Sequence, residues 1–540
     1  MEILKASQFG IIPNSEISKQ LTELFKAAKE HKTEKIEFES GVYYIDSDKC
    51  EKHMMYITNT VGDSEFSNEE VPHLAAVALY LSDIDNLTIN GNDAVFIIRG
   101  KLTNAAFENC KNITFKNLEF RHSSPDMHEL TVIKKSAFSV KFEADADTKI
   151  DFKNDKPYFN GKDYCYPADK NSATARWIPR IRVNSLLRAE RVKHPLSGAL
   201  KYAETDTGFK AYYLNTSRFM QGDSFYIYDV RRQYVGMFVN KCENITFKNV
   251  RQRFNYSLAL VLQDSKNITV SGCAFSPENN SPRLLSSCAD FIQVSMCRGK
   301  ISVMNCTFKG AGDDCINIHG IHFKIVDIKD DFLTVRFMHP QTHGFDPFHS
   351  GDTIAFIDPK TLIEKGKAEV ISSTLISETD IKLRTASAYK ASIGEVIENI
   401  SACPDVNFEN NTISRIVTRG LLLTTRGKVR ICDNSFKNTA MSGILISDDA
   451  ESWFESGCCK DVLIENNRFE SCAQPTILIK PENKIYSGAV HENIRIIGND
   501  FGDSKLCLKA SSTNNVVFKN NKHSNSNITR FDKCENIICE

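Results

Sequence analysis

The chain has 540 residues, of which 41% are hydrophobic and 25% are charged, and its formal net charge is −1. This length is ample for a large buried core, in one repetitive domain or in several ordinary ones. The near-zero charge gives no electrostatic reason to expect nucleic acid or a membrane surface as a partner. No apolar run approaches the roughly 20 residues of a membrane span, and the first residues lack the apolar core of a signal peptide. We expect a cytoplasmic protein, or a secreted or periplasmic one whose signal has been removed.

The sequence contains 17 cysteines. They show neither a paired framework nor the spacing of a zinc site, so we expect free thiols that are buried as small hydrophobes where they fall within strands. The sequence has no Gly-rich phosphate loop, Ser-His-Asp elbow or metal-ligand cluster. We therefore predict neither a cofactor nor a bound metal.

Apolar residues recur at helical spacing between residues 15 and 31, from Ile17 to Ala28. The pattern predicts an amphipathic helix with Asn14 or Ser15 as its N-cap. Such a helix in front of a repetitive β-structure covers the open end, where the terminal strand would otherwise be unpaired.

A short repeat then dominates the chain. Residues 111–117 read KNITFKN and residues 243–249 read ENITFKN, with variants up to residue 518. Corner asparagines follow most copies, at Asn305, Asn411, Asn434, Asn467, Asn499 and Asn521. Phenylalanines recur near the corners, at Phe275, Phe308, Phe436, Phe469 and Phe501.

Short alternating strands, asparagine corners and a period of twenty to thirty-odd residues predict an all-β fold, a right-handed parallel β-helix. We expect each corner asparagine to adopt the left-handed conformation and to hydrogen-bond to its copy one coil away. The phenylalanines should form a column inside the helix.

Two stretches without the repeat predict inserted antiparallel β modules. The chain then divides into five segments: an N-terminal cap with the first coils (1–127), an inserted module (128–235), central coils (236–320), a second inserted module (321–400) and C-terminal coils (401–540). The second module leaves the β-helix directly after His319 and Gly320 and should stand over the residues described next.

Three aspartates fall at the starts of neighbouring strands. Asp290 and Asp314 are 24 residues apart, and if that is one coil they stack at the roughly 4.8 Å spacing of parallel strands, with Asp313 beside them. Crowded carboxylates repel, so one of them retains its proton. Acid/base hydrolysis of a glycosidic bond needs this combination of acid and base.

Aligning the strands places Arg419 in the same column, on the coil after Asp314. Arg419 should keep Asp314 ionised and leave Asp313 freer to hold a proton. The alternative is a structural aspartate ladder bridged by water or calcium. Adjacent acids at a glycine-flanked strand start are costly unless they are used, which favours the catalytic interpretation.

Weaker candidates surround this cluster. His319 follows the Asp-Asp strand, as a sugar contact or as a hydrogen-bonded structural residue. His339 lies in a segment, 336–345, that suits a sugar subsite or a lid loop. Trp453, close to Glu455, could stack on a sugar or lie in the core. Arg426 and Lys480 lie on turns after later strands, where surface salt bridges are the default.

The blocks 310–320, 336–342, 418–426 and 448–457 resemble glycoside hydrolase family 110, of the pectin-lyase-like β-helix group. The resemblance implies an exo-α-galactosidase that removes terminal α-1,3-linked galactose, from blood-group-B-type or linear ends, with inversion. It also implies that Asp290, Asp313 and Asp314 are the functional acids. A wider resemblance to polygalacturonases points to the same three-carboxylate layout. Gln293 stands where we expect the family's histidine, so the chain departs from the family pattern at that position.

We therefore predict an inverting α-1,3-galactosidase with Asp313 as general acid and with Asp290 and Asp314 activating water. Inversion predicts a carboxyl separation of about 6.5–9.5 Å. The predicted substrate-binding residues are His319, His339, Arg419, Arg426, Trp453, Glu455 and Lys480. The partner is an oligosaccharide or glycan, and a homodimer is left open. The alternatives are another β-helix exo-glycosidase, such as a galacturonidase with Arg and Lys around the sugar C6, and a non-catalytic carbohydrate-binding β-helix.

Overall fold

The computed structural model describes residues 3–60, 73–169, 178–182, 190–228, 232–386, 389–526 and 528–540. The parts of the predicted segments that fall between these ranges lie outside the described residues. Within the described ranges, every helix is too short or too polar to cross a membrane.

An amphipathic α-helix, Ser18–Glu30, follows the 3-10 helix Ala6–Phe9 near the N-terminus. It buries its apolar face in the main core, where Leu21 and Leu24 are fully buried. The helix begins three residues later than Ser15, and Ile17 occupies the N-cap without a capping side chain. Glu16 accepts hydrogen bonds from the backbone and hydroxyl groups of Ser18 instead. The predicted cap is therefore wrong in position, although the helix covers the end of the β-helix as expected.

Most of the chain winds into parallel coils, as predicted. The larger sheet of the coils pairs strands one coil apart in register, so that Ile245 lies between Ile113 and Ile268. Its strands are Ile3–Lys5, Lys35–Glu37, Val42–Asp46, Thr88–Arg99, Lys111–His122, Glu243–Gln252, Lys266–Ser271, Ala274–Phe275, Arg298–Met304, Thr307–Ala311, Asp405–Glu409, Thr412–Ile416, Lys428–Cys432, Ser435–Thr439, Asp461–Glu465, Arg468–Glu470, His491–Ile497, Thr513–Lys519 and Glu535–Cys539.

A second parallel sheet forms the face that carries the aspartates. It contains Leu74–Ser82, Thr103–Glu108, Met237–Asn240, Leu260–Gln263, Ile292–Ser295, the start of Ile316–Lys329, Leu421–Leu423, Ile444–Ile446, Ile477–Ile479, Leu508–Ser511 and Thr529–Asp532. Alternate residues point inward, so the core of this face is made of Ile292, Ile316 and Leu421 stacked on one another.

Corner asparagines form a continuous ladder through the C-terminal coils. In this asparagine ladder, each side-chain amide donates to the carbonyl oxygen of the next one at 2.9–3.0 Å, through Asn411, Asn434, Asn467, Asn499 and Asn521. The expected hydrogen bonding is confirmed. The left-handed residue is the one before each ladder position, for example Asn410 or Asn466.

Asn305 does not belong to the ladder. Asn305 itself has a left-handed backbone and accepts a hydrogen bond from the side chain of Asn410. Cys306 occupies the ladder position on this coil, and its backbone N–H donates to Asn411. The repeat is thus offset by one residue here.

The phenylalanines stack inside the coils, as predicted. Phe275 pairs with Phe308, and Phe436 pairs with Phe469, at ring-centroid distances of 5.3 and 5.0 Å. Ile413 interrupts the column between Phe308 and Phe436. Large apolar rings on consecutive coils bury area at every step, which stabilises the stacking of coils.

The first antiparallel module packs around its own apolar core. Its strands are Met127–Lys135, Ser139–Ala144, Ile178–Arg182, Glu190–Val192, Lys201–Thr205, Gly208–Tyr212 and Asp223–Tyr228, with a smaller sheet of Lys149–Lys153, Lys156–Asn160 and Cys165–Pro167.

The second antiparallel module grows directly from the aspartate-bearing face. Ile316–Lys329 starts as a coil strand and runs without a break into the module, where it pairs with Phe332–Arg336 and Val396–Asn399. The remaining strands are Thr353–Ile357, Glu364–Leu375 and Asp380–Ala386, and Glu455–Ser456 pairs with the same long strand. The strand Lys52–Met54 follows the 3-10 helix Ser47–Lys49 and pairs antiparallel with Leu74–Ser82.

Candidate active site

Strand register brings the predicted acids together. Ile292, Ile316 and Leu421 are paired on successive coils, so the residues two positions earlier, Asp290, Asp314 and the Arg419 backbone, occupy one column. Asp313 adjoins Asp314. We call Asp290, Asp313 and Asp314 the acidic cluster.

One oxygen from each carboxyl of the acidic cluster lies within 4.8 Å of one oxygen from each of the others. The predicted separation of about 6.5–9.5 Å refers to whole carboxyl groups, so this contact between single oxygens does not test it. Parallel stacking on adjacent coils places the carboxyls at a spacing set by the inter-strand distance. Carboxyl spacing therefore carries no stereochemical argument in this protein.

The three acids differ in exposure. Asp290 and Asp314 are 3% and 2% exposed, whereas 28% of the Asp313 side chain is exposed. The backbone N–H of Asp314 donates to Asp290 Oδ1 at 3.1 Å. Asp313 is thus the carboxyl of the cluster that is most accessible to solvent.

Burial and crowding disturb the ionisation of the two inner acids. Burial, reinforced by the neighbouring carboxylates of Asp313 and Asp314, raises the pKa of Asp290 well above its ordinary value. Burial also raises the pKa of Asp314, although Arg419 opposes the shift. The expectation that Arg419 would simply hold Asp314 ionised thus understates the effect of burial.

Arg419 contacts Asp314 directly. Its Nε donates to Asp314 Oδ1 at 2.8 Å and its backbone N–H donates to the same oxygen at 3.0 Å. The hydroxyl of Thr418 also donates to this oxygen. Arg419 therefore orients an acid of the cluster, a role different from the direct sugar contact that the sequence suggested.

Arg232 is a residue that sequence reasoning missed. Its Nη2 lies 3.1 Å from Asp313 Oδ2. It is 81 residues away in sequence, at the end of the first antiparallel module, and no repeat or motif marks it. Only the folding of that module back towards the coils brings it to the site.

Charge balance indicates how many protons the site holds. Among the described residues, three carboxyls face two guanidinium groups, those of Arg232 and Arg419, so full ionisation of these five groups leaves one negative charge in excess inside a largely buried cluster. One bound proton makes these five groups neutral overall, and burial favours Asp290 as its holder because it raises the pKa of Asp290 well above the ordinary value. The same two arginines disfavour the calcium-bridged alternative, because they already supply the positive charge.

Beside the acidic cluster a narrow cleft is lined by residues from four parts of the chain, namely Asn59, Gln293, His319, Ile321, Phe337, Met338, His339, Thr342, Trp453, Phe454 and Glu455. Four predicted binding residues, His319, His339, Trp453 and Glu455, are therefore brought together. Asn59 and Thr342 were not singled out from sequence.

His319 is buried and held at both ring nitrogens. Its Nδ1 donates to the carbonyl of Gly320 at 2.8 Å, and its Nε2 accepts from the side chain of Gln293 at 2.9 Å. Gln293 in turn accepts from Asn59 at 3.0 Å. The glutamine that departs from the family pattern is thus a link between His319 and the N-terminal segment, and its amide can both donate and accept in that chain.

Trp453 forms a half-exposed aromatic wall. It is 49% exposed and stacks on His339, with ring centroids 4.7 Å apart. Burial, with Arg232 and His319 nearby, lowers the pKa of His339 to about 4, so this imidazole is neutral at neutral pH. The core alternative for Trp453 is excluded, and a flat ring faces the cleft.

Glu455 completes the floor of the cleft. Its Oε1 accepts from the amide of Asn317 at 2.9 Å and lies 3.8 Å from His319 Nε2. Asn317 and His319 point outward from the strand that follows Asp314, so the acidic cluster and the cleft share one strand.

Arg426 and Lys480 do not line the cleft. Arg426 is paired with Glu398 and Glu364 at 2.8 Å, and Lys480 pairs with Glu482 on the surface at 2.9 Å. Both residues therefore form salt bridges, which is the role that the sequence favours for them.

Comparison with known proteins adds the family. Residues 332–395 match the family model described as GLAA-B beta-barrel domain II. The chain is 33% identical over 503 residues to alpha-1,3-galactosidase A of Bacteroides thetaiotaomicron, covering 90% of this chain and 85% of the relative. It is 32% identical to alpha-1,3-galactosidase A of Bacteroides fragilis, covering 95% and 86%. It is 25% identical to alpha-1,3-galactosidase B of Phocaeicola vulgatus, covering 96% and 89%.

Among solved structures, the chain aligns with the Agl-KA catalytic domain at a TM-score of 0.45 and 8% identity, covering 99% of this chain and 68% of the other. It aligns with an exopolygalacturonase from Thermotoga maritima at a TM-score of 0.44 and 9% identity, covering 98% and 92%. The sequence relatives are far closer. At their identity and coverage, the chain belongs to glycoside hydrolase family 110, the family of the α-1,3-galactosidases.

Proposed function

We propose that this protein is an exo-acting, inverting α-1,3-galactosidase that releases terminal galactose from oligosaccharides or glycoconjugates. The observation that carries the proposal is the acidic cluster, in which one oxygen of each carboxyl lies within 4.8 Å of one oxygen of each of the others and which faces two arginines. The names of the relatives supply the sugar and the linkage. The proposal covers both linear and blood-group-B-type branched ends as substrates.

Asp313 is the proposed general acid because it is the most exposed carboxyl of the cluster. The proton that rests on Asp290 passes within the cluster to Asp313, which donates it to the glycosidic oxygen as the bond to the anomeric carbon breaks. Arg232 remains beside the carboxylate that is left and stabilises it.

Asp314 and Asp290 are proposed to hold and deprotonate the attacking water. The water oxygen bonds to the anomeric carbon and its proton returns to the cluster, so each turnover restores the starting protonation. Attack opposite the leaving group converts an α-galactoside into β-galactose. Inversion rests on the family resemblance, since carboxyl spacing gives no support for it.

Exo action is supported by the wall around the cleft. The N-terminal segment meets the second module where Thr58 and Thr342 hydroxyls lie 3.2 Å apart, and Asn59 reaches Gln293. We propose that this wall blocks a long polysaccharide laid across the coils and that the terminal sugar binds beside Trp453.

A galacturonidase would need a cation available for the C6 carboxylate. Arg232 and Arg419 are both engaged by the acidic cluster. This pairing favours the neutral galactose over galacturonate.

The leaving group tests the division of roles. Asp313→Asn should lower turnover of a natural α-1,3-galactoside by roughly 10²–10⁴-fold, because proton donation is lost. An activated aryl α-galactoside needs little protonation and should be partly spared. Asp314→Asn should affect both substrates alike, and added azide should restore part of its turnover by replacing the activated water. Initial rates of sugar release measure each case.

Asp433→Asn is the matched control, since Asp433 is exposed on a corner and its left-handed backbone suits asparagine. It should leave both rates unchanged. Proton NMR of the first-formed sugar checks stereochemistry: β-galactose supports the proposal, and α-galactose would show a covalent intermediate and overturn the roles. Release of galacturonic acid instead of galactose would overturn the substrate.

A further inference from the structure

Two imidazoles and one carboxylate meet at the outer edge of the cleft wall. One ligand atom each from His73, His343 and Glu378 lies within 4.8 Å of one from each of the others. They come from three distant parts of the chain: the start of Leu74–Ser82, the segment after Thr342, and the turn between Glu364–Leu375 and Asp380–Ala386. None of them belongs to the acidic cluster or lines the cleft.

The surrounding structure fixes this arrangement from several sides. Gly344, with φ +83°, donates its N–H to the carbonyl of Glu378 at 2.8 Å. A Cβ on Gly344 would lie 1.9 Å from Tyr56 Cδ1, so only glycine lets Tyr56 pack against this turn. The turn therefore holds His343 and Glu378 at a fixed spacing.

Tyr56 links the remaining parts. Its hydroxyl donates to Glu378 Oε1 at 2.8 Å, and its ring lies over the His73 imidazole with centroids 4.1 Å apart. A hydroxyl that orients a carboxylate, next to a histidine, is the usual support behind a metal ligand.

His73 carries an unsatisfied buried nitrogen. Its Nδ1 is buried and has no hydrogen-bond partner within the described parts of the chain. No hydrogen bond or ion pair joins His73 to Glu378 within those parts either, although both belong to the cluster. A buried polar atom without a partner is destabilising, and a cation bound to this nitrogen would satisfy it.

We infer that His73, His343 and Glu378 form a zinc site. Imidazole nitrogen and carboxylate oxygen are ligands that Zn²⁺ binds, and three protein ligands leave one tetrahedral position for water. Calcium and magnesium prefer oxygen-only ligands, so the two histidines favour a transition metal.

The site would join the N-terminal segment to the second module. Thr58, Asn59 and Thr342 form the cleft wall, and Tyr56 and His343 lie close to them in the sequence. A zinc ion at this position fixes the wall against Gln293 and so orders the cleft without taking part in the reaction.

Metal binding to the full-length protein tests the inference. After chelation and dialysis, Zn²⁺ should bind at about one ion per chain by calorimetry and elemental analysis. His73→Ala, His343→Ala and Glu378→Gln should each weaken binding by roughly 100-fold, since loss of even a supporting partner costs about 10–100-fold. His523→Ala, which removes an exposed imidazole near the C-terminus, is the matched control and should bind normally.

The cysteines and the acidic cluster are the competing sites. Co²⁺ bound in place of zinc should give a d–d spectrum without the thiolate charge-transfer band, and Asp313→Asn should retain full affinity. Zinc should raise the melting temperature of the parent and of Asp313→Asn, but not of Glu378→Gln. Glu378 is exposed, so this substitution leaves the core packing unchanged.

Binding that survives all three ligand substitutions, a thiolate band, or no saturable binding would each overturn the zinc site. Galactose release is measured separately, so failure of the zinc site leaves the proposed activity standing, and failure of the activity leaves the metal result unaffected.

Discussion

Buried polar side chains stack on successive coils in two regions of the molecule, the acidic cluster and the asparagine ladder. Both use the same geometry, in which parallel strands set like residues one coil apart. In the ladder each amide accepts from one neighbour and donates to the other. In the cluster each carboxylate can only accept, so stacking brings like charges together.

The difference shows how one fold serves both stability and chemistry. An amide satisfies its copy one coil away, so repetition stabilises the coils. A carboxylate repels its copy, and the repulsion is relieved by arginines and by a retained proton. In the proposed mechanism, the proton that general acid catalysis needs is therefore a consequence of stacking acids on successive coils.

Breaking the ladder should have the largest effect on stability. Asn467 donates to Asn499 and to the carbonyl of Ile431, and it accepts from the backbone and side chain of Asn434. Asn467→Ala leaves these partners unsatisfied and should lower the free energy of unfolding by about 3–5 kcal/mol. Urea denaturation followed by circular dichroism measures it.

Asn407→Ala is the matched control for the ladder. Asn407 is half-buried on a neighbouring strand, and its side-chain amide lies 3.9 Å from the sulfur of Met304. It should change stability by less than about 1 kcal/mol. If the two variants lost the same free energy of unfolding, the ladder would contribute no more to stability than an ordinary half-buried side chain.

Removing one carboxyl from the acidic cluster should increase the free energy of unfolding. Asp290→Asn removes a carboxyl whose pKa is raised in the folded state, so it should stabilise the protein at pH 7 by about 1–3 kcal/mol while abolishing activity. Thermal unfolding beside the activity assay measures both.

The sign of the pH dependence follows from linkage. Folding raises the pKa of Asp290, so between the unfolded value of about 3.9 and the folded value the native state binds the extra proton. The stabilisation that comes from this bound proton is complete below the unfolded pKa and is lost as the pH rises through the folded pKa. The stability gap between Asp290→Asn and the parent should therefore widen with pH. A gap independent of pH would contradict the buried, protonated Asp290.

Removing a balancing charge should have the smallest effect. Arg232 lowers the pKa of Asp290 against burial and the other acids. Arg232→Gln should raise the pKa of the proton-holding group and move the alkaline limb of the pH–rate profile upward by roughly one unit. An alkaline limb that stays in place or moves to lower pH would show that Arg232 does not lower the pKa of the cluster.

Local pattern was sufficient for the fold because a β-helix is built from contacts between copies of one short motif. Most of the corner asparagines and phenylalanines have a like residue as partner on the next coil, so their spacing predicts their stacking. The corner at Asn305, which is offset by one residue, and the helix start at Ser18 differ from the sequence predictions. A cap and a corner each depend on the backbone conformation of a single residue.

The sequence by itself determined the β-helix, its two insertions and the column that unites Asp290, Asp314 and Arg419, because each follows from the period of the repeat. Tertiary structure alone decided the position of Arg232 beside Asp313, the chain from Asn59 through Gln293 to His319, and the meeting of His73, His343 and Glu378. These residues lie on insertions and terminal segments, which have no repeat to fix their register. Their neighbours are set by how each segment folds back onto the coils.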